Sequence, residues 1–381
     1  MCGICGSVNI GSPHTIHRMN SVLAHRGPDD SGVKWFPESC SGLGQRRLAI
    51  IDLTPAGHQP MANDAETLWI TFNGEIYNYR EIRKILSRKG CSFRSESDTE
   101  VLLKAYEEWG LKVFDFLNGM FAFAIYDKVA HRLFAARDHI GIKPFYYWYD
   151  NRSLIFASEI KAILASGLIE KRPDYHSLHT PTRYQISPFT GFHGIYKLPP
   201  GHFLTFENGR LQIAPYWDIR PSEESDGITD KFIINRLDNL LNDATRLQMI
   251  SDVPVGILLS GGLDSSIIAA LMRRNTNGDI HSFTIKFASN DRTYERMPDD
   301  SHYAKIVAKK FSFVHHEIVL EPKISELLPL LTYHLDEPLA DPAIINTYLI
   351  SKAARDLGII VLLNGMGGMR SLAVTGSTWP A

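Results

Sequence analysis

Cysteine is scarce in this chain: there are four in 381 residues, at positions 2, 5, 40 and 91. They are too few and too scattered for a disulfide framework, and they suit a reducing compartment. An excess of one charge is lacking too. Lys and Arg number 40 against 42 Asp and Glu, a net charge of −2, which removes the electrostatic case for nucleic acid or an anionic membrane as partner. No apolar run approaches the roughly 18 residues of a membrane-crossing helix, and no basic stretch followed by an apolar one opens the chain. A cytoplasmic protein is therefore expected, with a homodimer left open. What is present is a globular balance, 44% apolar and 22% charged, in a length that allows two or three domains with large cores.

The stretch that organises the rest is Met1-Cys2-Gly3-Ile4-Cys5-Gly6. Once Met1 is removed, Cys2 carries a thiol and a free α-amino group, which titrate at about 8.5 and about 8, so the amine can serve as the thiol's own base. Three other readings stand beside this one: an ordinary thiol at a chain end, a Cys-x-x-Cys redox pair, and a metal site. The redox motif usually opens a helix after a strand, and no strand precedes it here. Zinc needs four closely spaced ligands, and Cys40 and Cys91 stand alone.

Along the first half, the spacing of Ile16, Met19, Val22 and Leu23 gives a helix that runs into the turn from His25 to Gly32, where Arg26 could be merely solvated. Leu43 to Asp52 reads as a strand. Its Arg47 is either an edge device or a guanidinium held to grip a carboxylate through paired hydrogen bonds. The strand Leu68–Phe72 ends at Asn73-Gly74, either a tight turn or a pair of donors for an oxyanion. A helix from Asn78 to Arg88 follows. Asp98 reads as the N-cap of a helix to Trp109, with an ammonium-binding role as the alternative. Met120–Asp127 and Arg132–Arg137 form a hairpin, and Leu154–Ala157 is a strand before a short helix. Strand-rich segments with few helices suggest stacked sheets flanked by helices.

Cys2-Gly-Ile-Cys-Gly, Arg26-Gly-Pro-Asp-Asp-Ser-Gly32, Arg47-Leu-Ala-Ile, Asn73-Gly-Glu-Ile-Tyr-Asn78, Ser97-Asp98 and Gly119-Met-Phe-Ala-Phe-Ala124 resemble, in order and at natural spacing over roughly residues 2 to 200, the class II glutamine amidotransferase domain. That domain is an N-terminal-nucleophile hydrolase. The resemblance implies an αββα sandwich in which Cys2 attacks the glutamine amide and Asn73 and Gly74 hold the oxyanion. Arg47 would take the α-carboxylate of glutamine, and Glu75 and Asp98 its α-amino group.

The domain is expected over residues 2–205. A linker over 206–229 includes the proline- and charge-rich stretch from Arg220 to Thr229. A helix from Asp230 to about Met249 carries the apolar side Phe232, Leu237, Leu240, Leu241, Ala244 and Leu247. A buried strand then runs through Leu259 into Ser260-Gly261-Gly262-Leu263-Asp264-Ser265, followed by another helix. Freed backbone N–H groups and the positive helix end make a phosphate cradle, with Ser260, Ser265 and Ser266 as donors and Asp264 available to Mg2+. It is not a Walker loop, since the terminal Lys-Ser/Thr is missing. Strands and helices then alternate to Leu363, which indicates a parallel sheet with ligands at its carboxyl edge. Leu259, Ile285 and Asn364-Gly365 are the points from which ATP would be held. His315-His316-Glu317 invites a metal reading, but neighbours in a strand face opposite ways, which favours structural use.

The loop resembles the PP-loop of ATP pyrophosphatases. With His281–Phe287, His315–Glu317 and Asp336–Asp341, the half over 230–381 resembles the synthetase part of glutamine-hydrolysing asparagine synthetase. The resemblance implies that ATP activates the aspartate carboxylate as an adenylate, and that ammonia released at Cys2 reaches it along a shielded path. At Asn364–Arg370 the chain departs from the family's acidic loop, with Met366 and Met369 at the carboxylate positions. A synthetase domain incomplete at its C-terminus is expected, with a glutaminase alone or a nucleotide-binding remnant as alternatives. Another amide acceptor is a further alternative.

Overall fold

A computed structural model of the chain describes residues 1–179, 185–219, 229–287, 300–320, 323–339, 341 and 343–366. The chain divides into two compact units, Met1–Ser222 with Thr332–Ala340, and Glu223–Leu331 with Asp341–Ala381.

In chain order the first unit contains β1 (Gly3–Val8), α1 (Pro13–Ser21), β2 (Asp30–Phe36), β3 (Ser41–Arg47), β4 (Met61–Ala62), β5 (Leu68–Ile76), α2 (Tyr79–Arg88) and α3 (Asp98–Trp109). Then come β6 (Gly119–Asp127), β7 (Arg132–Arg137), β8 (Tyr146–Tyr149), β9 (Leu154–Ala157), α4 (Ile160–Ala165), α5 (Tyr175–Leu178), β10 (Ile195–Lys197), β11 (His202–Glu207) and β12 (Arg210–Pro215). The strands form two six-stranded sheets, ordered β10-β8-β9-β1-β3-β2 and β12-β11-β7-β6-β5-β4, with antiparallel pairing throughout.

Side-chain alternation along a strand explains the layering. In β6, Ala122, Ala124 and Tyr126 join Ile4, Val8, Leu43, Phe156 and Phe206 in the core between the sheets. On the other face of the second sheet, Phe123 packs with Phe134, which stacks on Tyr106 of α3 at 4.8 Å. The first sheet likewise presents Cys5, Ile155 and Ala157 to Ile16 and Met19 of α1 and to Ile160 and Ile163 at α4. The result is the expected helix–sheet–sheet–helix sandwich. Each fully buried phenylalanine contributes about 1.5–3 kcal/mol by leaving water.

Several local expectations shift. Helix α1 starts from a capping box between Ser12 and Thr15, with Pro13 at its first turn, and stops at Ser21. Strand β3 ends at Arg47, so Leu48–Asp52 lies outside it. Strand β5 runs through Asn73-Gly74 to Ile76 and pairs with β6 over its whole length, so the Asn-Gly is no turn. Ser97, which accepts from the Glu100 N–H, caps α3, and Asp98 is the first helical residue rather than the cap. The segment 206–229 is not irregular from its start, because β12 pairs with β11 through Pro215.

The second unit contains α6 (Asp230–Gln248), β13 (Val255–Leu258), α7 (Leu263–Asn275), β14 (His281–Phe287), α8 (Asp300–Lys310), β15 (Val314–Leu320), α9 (Ile324–Leu335, whose last residues belong to the first unit), α10 (Ala343–Asp356) and β16 (Val361–Leu363). Its sheet is parallel in the order β15-β14-β13-β16. Of the apolar side expected on α6 only Leu247 is buried, while Phe232 and Leu240 are 59% and 52% exposed. His315 and His316 do face opposite ways. His315 Nδ1 lies 2.9 Å from Ser282 Oγ, and His316 Nε2 lies 3.0 Å from His281 Nδ1. Among the described residues no group of three or more His, Cys, Asp or Glu could hold a metal ion.

Candidate active site

Strand β1 lies inside its sheet between β3 and β9. Ile4 N–H donates to Ser158 Oγ at 3.0 Å and Ser158 N–H to Ile4 O at 2.8 Å. This pins the start of the chain and leaves Cys2 just ahead of the strand. The Cys2 Sγ accepts from Leu48 N–H at 3.4 Å, and Arg26 Nε donates to the Cys2 carbonyl at 2.8 Å. Arg26 is therefore not a solvated residue: its side chain is 9% exposed, and its Nη2 has no partner among the described residues. Burial pulls the terminal ammonium, here on Met1, down to about 5. The positive charges of Arg26 and Lys143 act in the same direction, against Cys2 and Glu75.

Cys5 cannot complete a redox pair. It is fully buried in the layer between sheet and helices, the Gly44 backbone fits against its sulfur with no room for a Cβ, and burial pushes its thiol well above the ordinary range.

Opposite β1, the second sheet supplies Asn73. It is fully buried, and neither its amide nitrogen nor its amide oxygen has a hydrogen-bond partner among the described residues. Buried polar groups are rarely left so, because each unmade bond costs roughly 1–3 kcal/mol. A side chain kept in this state is preorganised for something that arrives. Gly74 is glycine for a different reason from the close substrate approach that its small size suggests. A Cβ there would sit 2.3 Å from Met120 O and 2.7 Å from Phe121 Cα, so the neighbouring strand requires it.

Glu75 and Asp98 are 6% and 5% exposed. Burial, with the neighbouring Asp98 charge adding to it, lifts Glu75 to about 7. Burial also lifts Asp98, to about 6, against the hydrogen bond that Ile76 N–H donates to Asp98 Oδ2 at 2.9 Å. Two carboxylates in one dry neighbourhood call for a cation. Lys143, 5% exposed, stands in the same field: burial lowers its pKa, while Glu75 and Cys2 oppose that. Arg47 is buried beneath Gly57. Its Nη1 donates to Thr54 O at 3.1 Å and its Nη2 to Ile51 O at 3.2 Å and to Asp52 O. Three of a guanidinium's five N–H donors are thus committed to backbone, which fixes its plane.

The structure thus gathers Cys2, Arg26 and Lys143 with Glu75 and Asp98, the acids through their mutual fields. The sequence alone does not single out Lys143 or Gln45. Gln45 is a fully buried amide in β3, and like Asn73 it has no partner among the described residues. A single Lys in Gly-Ile-Lys-Pro and a Gln in a strand carry no local signal of their burial.

In the second unit, Leu259 N–H donates to Phe283 O at 2.9 Å, and the chain then enters the glycine loop. Ser260 Oγ lies 3.0 Å from Ser265 Oγ and accepts from Gly262 N–H at 3.3 Å. Gly261 has φ +79°, and a Cβ there would meet Ala304 N at 2.4 Å. Gly262 is the N-cap of α7, with no side-chain cap, and Leu263 and Asp264 open the helix. Gly365 comes onto this first turn so closely that a Cβ would lie 2.7 Å from Ser265 N and 2.8 Å from Asp264 Cβ. The loop and the Asn364-Gly365 turn are therefore brought together. Ile285 packs its side chain into the apolar cluster around Phe283 and Ile350, so a nucleotide would meet its backbone. Met366 is 90% exposed, and Met369 lies outside the described residues. N–H groups without a side-chain cap at a helix start, with only Ser260 Oγ near the Cα of Gly262, suit phosphate oxygens. A single carboxylate such as Asp264 suits a magnesium ion whose other ligands are phosphates and water.

A family model described as a glutamine amidotransferase domain matches residues 1–217, and one described as asparagine synthase matches residues 236–368. The chain is 39% identical over 344 residues to asparagine synthetase (glutamine-hydrolyzing) 3 of Bacillus subtilis (strain 168), covering 85% of this chain and 55% of that protein. It is 35% identical over 393 residues to the Methanocaldococcus jannaschii protein named "Putative asparagine synthetase (glutamine-hydrolyzing) 2", covering 97% of this chain and 74% of that one. To asparagine synthetase (glutamine-hydrolyzing) 1 of B. subtilis it is 35% identical over 379 residues, covering 96% and 58%. The chain thus spans 55% and 58% of the length of the two B. subtilis relatives.

Proposed function

Because the chain belongs to the family of glutamine-hydrolysing asparagine synthetases, we propose that it is a glutamine-dependent amidotransferase that makes asparagine from aspartate with ATP. With Met1 removed, the Cys2 amine takes the thiol proton and the sulfur attacks the side-chain amide carbon of glutamine. Asn73 Nδ2 and Gly74 N–H receive the oxyanion. The proton passes to the amide nitrogen, ammonia leaves, and water cleaves the thioester to glutamate. Arg47 takes the α-carboxylate of glutamine, and Glu75 and Asp98 face its ammonium. The observation that carries this half is the buried amide of Asn73, which has no partner among the described residues: an oxyanion donor held without reorganisation is worth on the order of 3 kcal/mol.

In the second half, the loop Ser260–Ser265, with Leu259, Ile285 and Asn364-Gly365, would hold ATP. Asp264 would hold Mg2+, which supplies charge neutralisation at the phosphates. The aspartate carboxylate attacks the α-phosphorus and pyrophosphate leaves. Ammonia then displaces AMP to give asparagine.

The test is glutamine labelled with 15N in its side-chain amide, incubated with ATP and aspartate. Labelled asparagine and AMP in equal amounts are expected. Glutamate without asparagine or AMP would remove the synthetase half of the reading, and no glutamate would remove both.

A further inference from the structure

Beyond the residues assigned so far, the first unit contains a buried chain of charges that ends on Cys2. Glu159, between β9 and α4, is 6% exposed. Its Oε1 accepts from Arg26 Nη1 at 2.9 Å and lies 3.0 Å from His25 Nε2, and its Oε2 accepts from Lys161 Nζ at 2.5 Å. Lys161 Nζ is also 2.9 Å from Asp336 Oδ1, and Lys161 N–H donates to Asp336 Oδ2 at 3.2 Å. The next residue is anchored as well. Glu337 pairs with Lys197 Nζ at 2.8 Å, and its Oε1 accepts from Gly191 N–H at 2.7 Å. The segment 332–340 therefore folds into the first unit, late as it comes in the sequence, and two successive carboxylates fasten it there.

Burial gives these contacts their leverage. A charge deprived of its partner in a dry interior is strongly unfavourable, so each member depends on the next. Burial alone would raise the Glu159 carboxyl, but His25, Arg26 and Lys161 together outweigh it and hold it at about 2, so it stays ionised. The planar Arg26 fork is then fixed along two edges, Nη1 on Glu159 and Nε on the Cys2 carbonyl. Where that plane lies decides where the Cys2 peptide lies.

We infer that Glu159 is a positioning residue for the nucleophile, acting through Arg26, and that Asp336, acting through Lys161, keeps Glu159 in place. The 332–340 segment thereby sets the competence of the glutamine-hydrolysing centre. This rests on the reading of Cys2 as the nucleophile.

The experiment measures kcat and KM for glutamine hydrolysis in the full chain for Glu159→Gln, Asp336→Asn and the double variant. Glu159→Gln is expected to lower kcat by about tenfold with KM within about twofold, since it leaves Arg47, Glu75 and Asp98 untouched. Asp336→Asn should lower kcat by about threefold, and the double variant should be no worse than Glu159→Gln, because residues acting along one path do not add. If the single losses multiply in the double variant, or if kcat stays within about twofold of the parent in both single variants, the inference is overturned. Should Glu159→Gln fail to fold, Lys161→Met with Asp336→Asn carries the same cycle. Cys2→Ala separates the two readings. Hydrolysis persisting in it removes the nucleophile assignment, whereas its abolition alongside unaffected Glu159→Gln and Asp336→Asn removes this inference alone.

Discussion

The two sites differ in how far they bury the polar groups at their centre. In the first, Asn73, Glu75, Asp98 and Lys143 are each at most 6% exposed. In the second, Ser260 and Gly262 of the glycine loop are exposed, and Leu263 beside them is 69% exposed. An unmet donor in water is satisfied by water and says little. The same donor sealed between two sheets has no such recourse, so the fold must hold it against its own stability. The first site can thus be read from what it leaves unsatisfied, the second only from the shape of its backbone.

The comparison is broken most directly at Cys2. Cys2→Ala should lower glutamine hydrolysis on the order of 10⁴-fold or more while ATP binding, measured by calorimetry, is unchanged. Next, Asn73→Ala should lower kcat by about 10²-fold to 10³-fold with its thermal midpoint little altered, as befits a side chain with no hydrogen-bond partner among the described residues. The reverse experiment is Gly261→Ala. The positive φ and the 2.4 Å approach to Ala304 N exclude a Cβ, so ATP affinity should fall by about tenfold or more, with glutamine hydrolysis retained.

The smallest effect is a pH dependence. Glu75 and Asp98 have pKa values raised to about 7 and about 6, so each loses its negative charge as the pH drops through its value. In the proposed reading only the ionised forms attract the glutamine ammonium. kcat/KM should therefore fall by a few-fold as the pH goes below about 7, and Glu75→Gln should move that acid limb toward about 6. A flat profile between pH 5 and 8 would show that neither carboxylate meets the substrate.

Much of the layering was legible in the sequence because it is written in periods. The alternation from Met120 to Asp127 and the strand–helix rhythm after Val255 both reflect which faces meet a core. Cys2, Asn73, Glu75 and Asp98 were found through short motifs. Arg26 stands in such a motif without a role, and Glu159 and Lys161 stand in none, because their meaning lies in pairings such as Arg26 with Glu159, 133 residues apart in the chain. The misread cap at Asp98 has a physical cause: Ser97 and Asp98 are both good capping residues, and Asp98 was free for another task only because Ser97 took the first. β12 falls inside the expected linker because its alternation is short, Leu211 and Ile213 between Arg210 and Gln212, and an edge strand of this kind stays half-exposed.

The packing behind β1 carries a consequence for oxidative stress. Cys5 is walled off by Ile16, Met19 and the backbone of Gly44, so a sulfenic acid formed at Cys2 finds no resolving thiol in the strand that follows it. If Cys2 is the nucleophile proposed, thiols other than Cys5 would have to repair it, and a peroxide pulse would silence glutamine hydrolysis until one of them reached the sulfur.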